Sequence, residues 1–238
     1  GYGPSALTVL ENMGGARENR IDGDAETWSA DETASLNTIA VELKADVAAP
    51  AWSRAAGLPD AAFRHDNMIP KREVRALTLA ALAPLPGETL WDVGAGNGSV
   101  AIEWLRLSPS TMAIAIEKTP SRAENARFNA RELGVPRLEV IEAEAPAAFA
   151  DLTDDPEAIF AGGGLSAALL AACWGRLKQG GRLVANAVTV EGQAALLAQR
   201  AAQGGELIKV AVSREGPVGP RAAMKPLMEV WQLQVTKT

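Results

Sequence analysis

Four residues in the run WDVGAGNGSV, 91–100, have types and spacing suited to holding a small molecule: Asp92, Gly94, Gly96 and Gly98. Alternating glycines let a backbone turn tightly and approach a ligand closely, because no Cβ stands in the way. A second acid, Glu117, follows 25 residues after Asp92. It closes the apolar run TMAIAIE, where a carboxylate can accept both hydroxyls of a ribose. Two familiar nucleotide loops do not fit. The dinucleotide pattern GxGxxG needs a third glycine for close helix packing where this chain has Ser99, and the phosphate loop GxxxxGK[ST] is absent. The glycine loop alone also fits a tight strand-to-helix turn with no ligand, though the ligand is the favoured reading. The acids and glycines at later strand ends, Glu144 and Gly162 to Gly164, favour a ligand. Glu142 competes with Glu144 as the exposed carboxylate.

Strands and helices must alternate to bring those points together. Pro70 can open a helix over KREVRALTLAALAPL, with Val74, Leu77, Thr78 and Ala81 on one face. ETLWDVG predicts a strand that ends in the glycine loop, and SVAIEWLRL (99–107) a helix. A strand over 111–117, a helix over 121–134 and strands over 138–146 and 158–164 follow. Then come a helix over 166–177, a strand over 182–190 and a helix over 191–205. ELIKVAVSR and LMEVWQLQV predict two last strands, separated by a Gly/Pro/Arg loop at 214–226. Apolar strands alternating with helices mean an α/β fold with a mainly parallel sheet covered on both faces. The last two strands have no helix between them, which predicts an antiparallel member. Ligands of such sheets bind beyond the carboxyl ends of the strands.

The first 50 residues have another character. SALTVLENMGG (5–15) is a short apolar run, RENRIDGDAETWSADETA (17–34) is polar and loop-like, and LNTIAVEL (36–43) predicts a strand. The expected division is a remnant of a preceding domain at 1–45, a linker at 46–62 and the α/β domain at 63–238.

Composition narrows the function. The 238 residues are 47% hydrophobic, enough for a substantial core. A net charge of −6 with 5% aromatic residues argues against a nucleic-acid partner, which needs phosphate contacts and base stacking. No apolar run is long enough to span a membrane. The single cysteine, Cys173, excludes an intrachain disulfide and fits a reducing, cytoplasmic setting. It predicts a buried small hydrophobe. His65 and Cys173 do not make a metal cluster, so no metal is expected.

Asp-x-Gly-x-Gly-x-Gly, with an acid ending the next strand, resembles the S-adenosylmethionine site of class I methyltransferases. That resemblance implies a Rossmann-like, doubly wound sheet of seven strands with S-adenosyl-L-methionine as cofactor. It places the loop Gly94, Ala95, Gly96, Asn97 and Gly98 against the methionine moiety and Glu117 on the ribose. Glu144 and Ala145 would border the adenine, Gly162 and Gly163 would line the floor near the sulfonium, and Asp92 and Lys118 complete the cofactor set.

FRHDNMIPKREVR (63–75), DVGAGNGS, the AGGG after the fourth strand and NAVTVEG (186–192) together resemble the decarboxylating methyltransferase domain of corrin biosynthesis. The likeness covers most of residues 60–238. It implies methylation of a precorrin tetrapyrrole at C15 and removal of CO₂ from the acetate chain of ring C. In the family's two-domain arrangement a preceding tetrapyrrole-methylase domain adds the C5 methyl, and relatives form homo-oligomers, tetramers among them. Pro70 departs from the threonine that many relatives carry before the lysine.

The substrate implied carries many carboxylates, so the chain must hold a basic patch. Lys71, Arg72, Arg75, Arg214, Arg221 and Lys225 are candidates, with Lys71 and Arg221 the preferred pair. His65 either moves a proton or braces its segment. Asn67 can position the substrate or the methionine carboxylate. The competing functions are a class I methyltransferase acting on RNA or another small molecule, and a noncatalytic methyltransferase-like subunit. A nicotinamide oxidoreductase is disfavoured by Ser99.

Overall fold

A computed structural model describes residues 1–30 and 32–238, and the chain falls into two units, Gly1–Trp52 and Ser53–Thr238. The first is an antiparallel sheet of β1 (Ala6–Glu11), β2 (Asn19–Asp24) and β3 (Asn37–Glu42) in the order β2-β1-β3. The expectation of a loop over 17–34 is corrected by β2; residue 31 of that run lies outside the described residues. Ile21 is the one large apolar residue of β2, so its sequence shows no hydrophobic alternation. Backbone pairing defines the strand, helped by the Thr8 hydroxyl donating across to Asp22 at 2.6 Å.

The second unit runs α1 (Arg72–Leu82), β4 (Thr89–Val93), α2 (Ser99–Leu107), β5 (Met112–Ile116), α3 (Pro120–Glu132) and β6 (Glu139–Ile141). It continues through β7 (Ala158–Ala161), α4 (Ala167–Arg176), β8 (Arg182–Ala187), α5 (Val190–Gln203) and β9 (Glu206–Val210). A hairpin of β10 (Ser213–Val218) and β11 (Arg221–Pro226) precedes β12 (Val230–Thr236). The seven-stranded sheet has the order β6-β5-β4-β7-β8-β12-β9. Its first five strands are parallel neighbours, and β12 is antiparallel to both β8 and β9. The α/β class, the parallel sheet and the antiparallel late strand are as expected.

Pleating divides the sheet's side chains. Trp91, Val93, Ile159, Ala161, Leu183 and Ala185 point into a core shared with α4 and α5. Asp92 and Asn186 point the other way and bond to α2 and α1. Two helix starts carry side-chain caps: Ser166 accepts the Leu169 amide at α4 and Thr189 the Gly192 amide at α5. Cys173 is buried in the core, and burial pushes its thiol up to about 12, as befits a packing residue.

Three local expectations change. The 214–226 loop is the β10–β11 hairpin, whose exposed Gly/Pro/Arg composition hid its pairing. The third strand spans only Glu139–Ile141. Leu77 is 42% exposed, and the inward face of α1 carries Leu79, Leu82 and Arg75 instead. Within the stretch read as linker, the amides of Gly57 and Leu58 bond to Glu103, and Leu58 is buried.

Candidate active site

The chain leaves β4 toward β5 and β6 on one side, then returns to place β7 on β4's other side. The carboxyl ends of β4 and β7 therefore flank the crevice where open α/β sheets bind ligands. A cavity of about 780 Å³ occupies it. Gly94, Gly96 and Gly98 have φ of 70°, 58° and 75°, a region that side chains rarely adopt. A Cβ on Gly94 would come within 3.1 Å of the Gly163 carbonyl oxygen, so the loops after β4 and β7 pack backbone to backbone. Gly96 faces open space, with only the Met68 carbonyl oxygen near at 3.8 Å.

Glu117 ties this loop to the end of β5. One carboxylate oxygen accepts the Gly96 amide at 2.8 Å and the other accepts the Thr119 amide at 2.8 Å. The residue is 5% exposed and lines the cavity. Each oxygen keeps a further lone pair for a ligand donor. Lys118 and Glu144 line the rim as an exposed ion pair at 2.9 Å. Ala145, Gly162, Gly163 and Ala95 complete the lining from the cofactor set. Glu142 does not line the cavity and lies 3.8 Å from Arg127 instead.

Three residues of that set lie behind the surface. Asp92 is buried beneath the loop and accepts the Ala101 amide of α2 at 3.0 Å. Its other oxygen has no partner, and burial, reinforced by Glu117, pushes its carboxyl up to about 7. Gly98 lets α2 approach α3: an added Cβ would sit 3.0 Å from that of Ala126. Asn97 is buried, and its backbone oxygen accepts from Asn129 at 3.0 Å.

Asn129, unnoticed in the sequence, also bonds both backbone groups of Arg64, at 2.7 and 2.9 Å. It staples the 63–75 segment to the glycine loop. Asp66 continues the anchorage by pairing with Arg122 at 2.8 Å. These bonds make Asn67, Met68, Ile69, Pro70 and Lys71 a wall of the cavity. His65 lies outside the lining, half-buried, with Nδ1 accepting the Asn67 amide at 3.0 Å, which is the bracing arrangement.

The basic patch is smaller than expected. Arg75 is fully buried, paired with Glu103 and Asp60 and stacked on Phe63. Arg214 pairs with Glu73 at 2.6 Å and Asp60 at 3.3 Å. Arg221 and Lys225 are exposed on the hairpin, outside the lining. Three cations do line the cavity: Lys71, Lys118 and Arg122. Lys71 alone of these has no carboxylate partner among the described residues. Much of the remaining wall is apolar, with Val74, Phe160, Leu169, Val188, Leu227 and Met228. Among the described residues no group of three or more His, Cys, Asp or Glu could hold a metal ion, and no helix is long and apolar enough to cross a membrane.

A loop of positive-φ glycines, an acid on the next strand and one free cation over an apolar floor suit a nucleoside beside an anionic substrate. Comparison with known proteins supplies the decisive observation: a family model described as precorrin methyltransferase domain matches residues 61–237. The chain belongs to the precorrin methyltransferase domain family. A curated relative from Sinorhizobium sp, named precorrin-6Y C(5,15)-methyltransferase [decarboxylating], is 49% identical over 238 residues. That match covers 100% of this chain and 57% of the relative, so the chain spans little more than half its length. A shorter relative from Saccharolobus solfataricus, named "Probable cobalt-precorrin-6B C(15)-methyltransferase (decarboxylating)", is 34% identical over 141 residues. There the match covers 57% of this chain and 71% of the relative. Among solved structures, the C-terminal domain of precorrin-6Y C5,15-methyltransferase from Rhodobacter capsulatus is 42% identical with a TM-score of 0.73. It covers 78% of this chain and 100% of its own. This precorrin methyltransferase domain has the Rossmann-like class I methyltransferase fold.

Proposed function

We propose that residues 63–238 methylate a precorrin at C15, using S-adenosylmethionine, and decarboxylate the ring C acetate side chain in cobalamin biosynthesis. The observation that carries this reading is one cavity lined by the Gly94–Gly96 loop, Glu117 and the unpaired Lys71. The shorter relative's name speaks of C(15) alone and the longer one's of C(5,15). That difference supports assigning the C15 and CO₂ steps to this domain. We assign residues 1–45 to the tail of a preceding tetrapyrrole-methylase domain that adds the C5 methyl, and 46–62 to a linker.

The residues present fit the cofactor. Gly96 leaves room where a side chain would intrude, and Glu117 has lone pairs for ribose hydroxyls. Gly162 and Gly163 give a flat floor beside the loop. When bound, S-adenosylmethionine supplies an electrophilic methyl group. The protein's own share is alignment: a reduced tetrapyrrole carbon is enamine-like and already nucleophilic, so holding it in line contributes most of the rate. The conjugated macrocycle can receive the electron pair left by CO₂, and the apolar wall keeps water from the reacting carbons. Lys71 grips a substrate carboxylate from the start of α1, and Asn67 positions the substrate or the methionine carboxylate.

Incubation with precorrin-6B and S-adenosylmethionine carrying a labelled methyl tests this. Label in the tetrapyrrole is expected. Label reaching RNA but no tetrapyrrole would overturn it.

A further inference from the structure

Three buried polar side chains meet at the back of the cavity. Thr78 of α1, Asn186 of β8 and Gln232 of β12 are 0%, 9% and 2% exposed. Asn186 and Gln232 are direct cross-strand partners, so both stand on the sheet face that α1 covers. An unpaired polar group there is destabilising. The Thr78 hydroxyl donates to the Val74 carbonyl at 2.9 Å. Its one proton is thereby committed, and Oγ1 can only accept. It accepts from Asn186 Nδ2 at 2.8 Å and from Gln232 Nε2 at 3.0 Å. Gln232 Nε2 also donates to Asn186 Oδ1 at 2.9 Å. The orientation of the Asn186 amide is thus fixed, nitrogen toward Thr78 and oxygen toward Gln232.

Asn186 is the member of this cluster that lines the cavity. Its amide retains one N–H and one oxygen lone pair without a partner among the described residues. Val74, Phe160, Val188 and Val230 line the same cavity. A few fixed polar groups in an apolar lining are what orient a ligand. The cavity therefore offers a carboxylate two different grips, the Lys71 ammonium and the neutral Asn186 N–H. A carboxylate against an ammonium is stabilised as an anion, which opposes loss of CO₂. One held by a neutral N–H among apolar side chains is positioned with far less anion stabilisation.

We propose that Asn186 donates its free N–H to the acetate carboxylate that leaves as CO₂, with Thr78 and Gln232 as positioning residues. This rests on the tetrapyrrole reading. The bond between the acetate methylene and its carboxylate carbon breaks, and CO₂ departs. The electron pair passes to the methylene carbon and the conjugated ring, and a proton from solvent completes a methyl group.

The test is turnover of precorrin-6B by the 238-residue chain, with products separated by mass into methylated species with and without CO₂ loss. Asn186→Ala should lower decarboxylation about tenfold relative to methylation, while calorimetry finds S-adenosylmethionine affinity unchanged. Thr78→Val should lower the same ratio and Thr78→Ser restore it. A wild-type ratio in both Asn186→Ala and Thr78→Val overturns the assignment. So does a proportional loss of both steps with falling cofactor affinity, the signature of a structural role. A wild-type chain that methylates no precorrin overturns the functional reading itself, and the proposal with it.

Discussion

Glu117, at the end of β5, accepts the backbone amide of Gly96 at 2.8 Å. The acid and the glycine loop are therefore one unit: the carboxylate shapes the loop and presents its remaining lone pairs beside it. Strand pairing makes this possible, because β4 and β5 are parallel neighbours whose carboxyl ends coincide.

Replacing Glu117 should accordingly weaken cofactor binding. Glu117→Ala removes the acceptor of two amides and the lone pairs we assign to the ribose, and a loss of about tenfold to hundredfold in S-adenosylmethionine affinity is expected. Calorimetry measures it. An unchanged affinity would refute the ribose assignment.

Lys71 and Arg221 should now separate. Lys71→Ala removes the unpaired cation of the cavity and should weaken tetrapyrrole binding about tenfold, leaving S-adenosylmethionine affinity alone. Arg221→Ala changes an exposed hairpin residue outside the lining and should alter tetrapyrrole affinity less than about twofold. Fluorescence titration with a precorrin compares the two. A larger effect from Arg221 would show that the hairpin folds over the substrate.

Asp92 should make stability depend on pH. Its carboxyl is raised from 3.8 to about 7 in the folded chain, chiefly by burial. Between those values the folded state binds the Asp92 proton more tightly than the unfolded one, so the contribution of Asp92 to stability is greatest below 3.8 and falls as pH rises to about 7. Asp92→Asn keeps a carbonyl to accept the Ala101 amide but cannot ionise. Its melting temperature should match wild type near pH 4 and exceed it near pH 8, by at most about 4 kcal/mol of stability. Parallel melting curves for the two proteins across that range would contradict this.

Arg75 belongs to folding and not to substrate binding. Its guanidinium bonds to Glu103, Asp60 and the carbonyls of Leu58 and Pro70. Arg75→Ala leaves Glu103 buried with an uncompensated charge and should cost about 3–5 kcal/mol in denaturant unfolding. Arg75→Lys cannot reproduce the planar fork and should recover little of it.

The sequence showed the second unit well because its helices and parallel strands are marked by apolar runs and by glycine and proline boundaries. β2 and the β10–β11 hairpin escaped because both are polar and exposed, and their stability lies in backbone pairing that carries no hydrophobic signature. At the site, Glu117, Glu144 and the glycines were legible from strand-end position, and Lys71 from its place at the start of the entry helix. Asn129, Arg122 and Asn186 were not: each acts through a partner between 32 and 108 residues away, a separation that no local pattern encodes. Arg75 misled for the same reason. A charged residue on a helix suggests a surface until Glu103, 28 residues on, is seen beside it.

The most direct measurement is mass spectrometry of the tetrapyrrole after the purified chain has been mixed with precorrin-6B and S-adenosylmethionine. One added methyl group and one lost CO₂ is the result expected. A tetrapyrrole unchanged in mass, with S-adenosylmethionine binding confirmed in the same sample, would contradict the account.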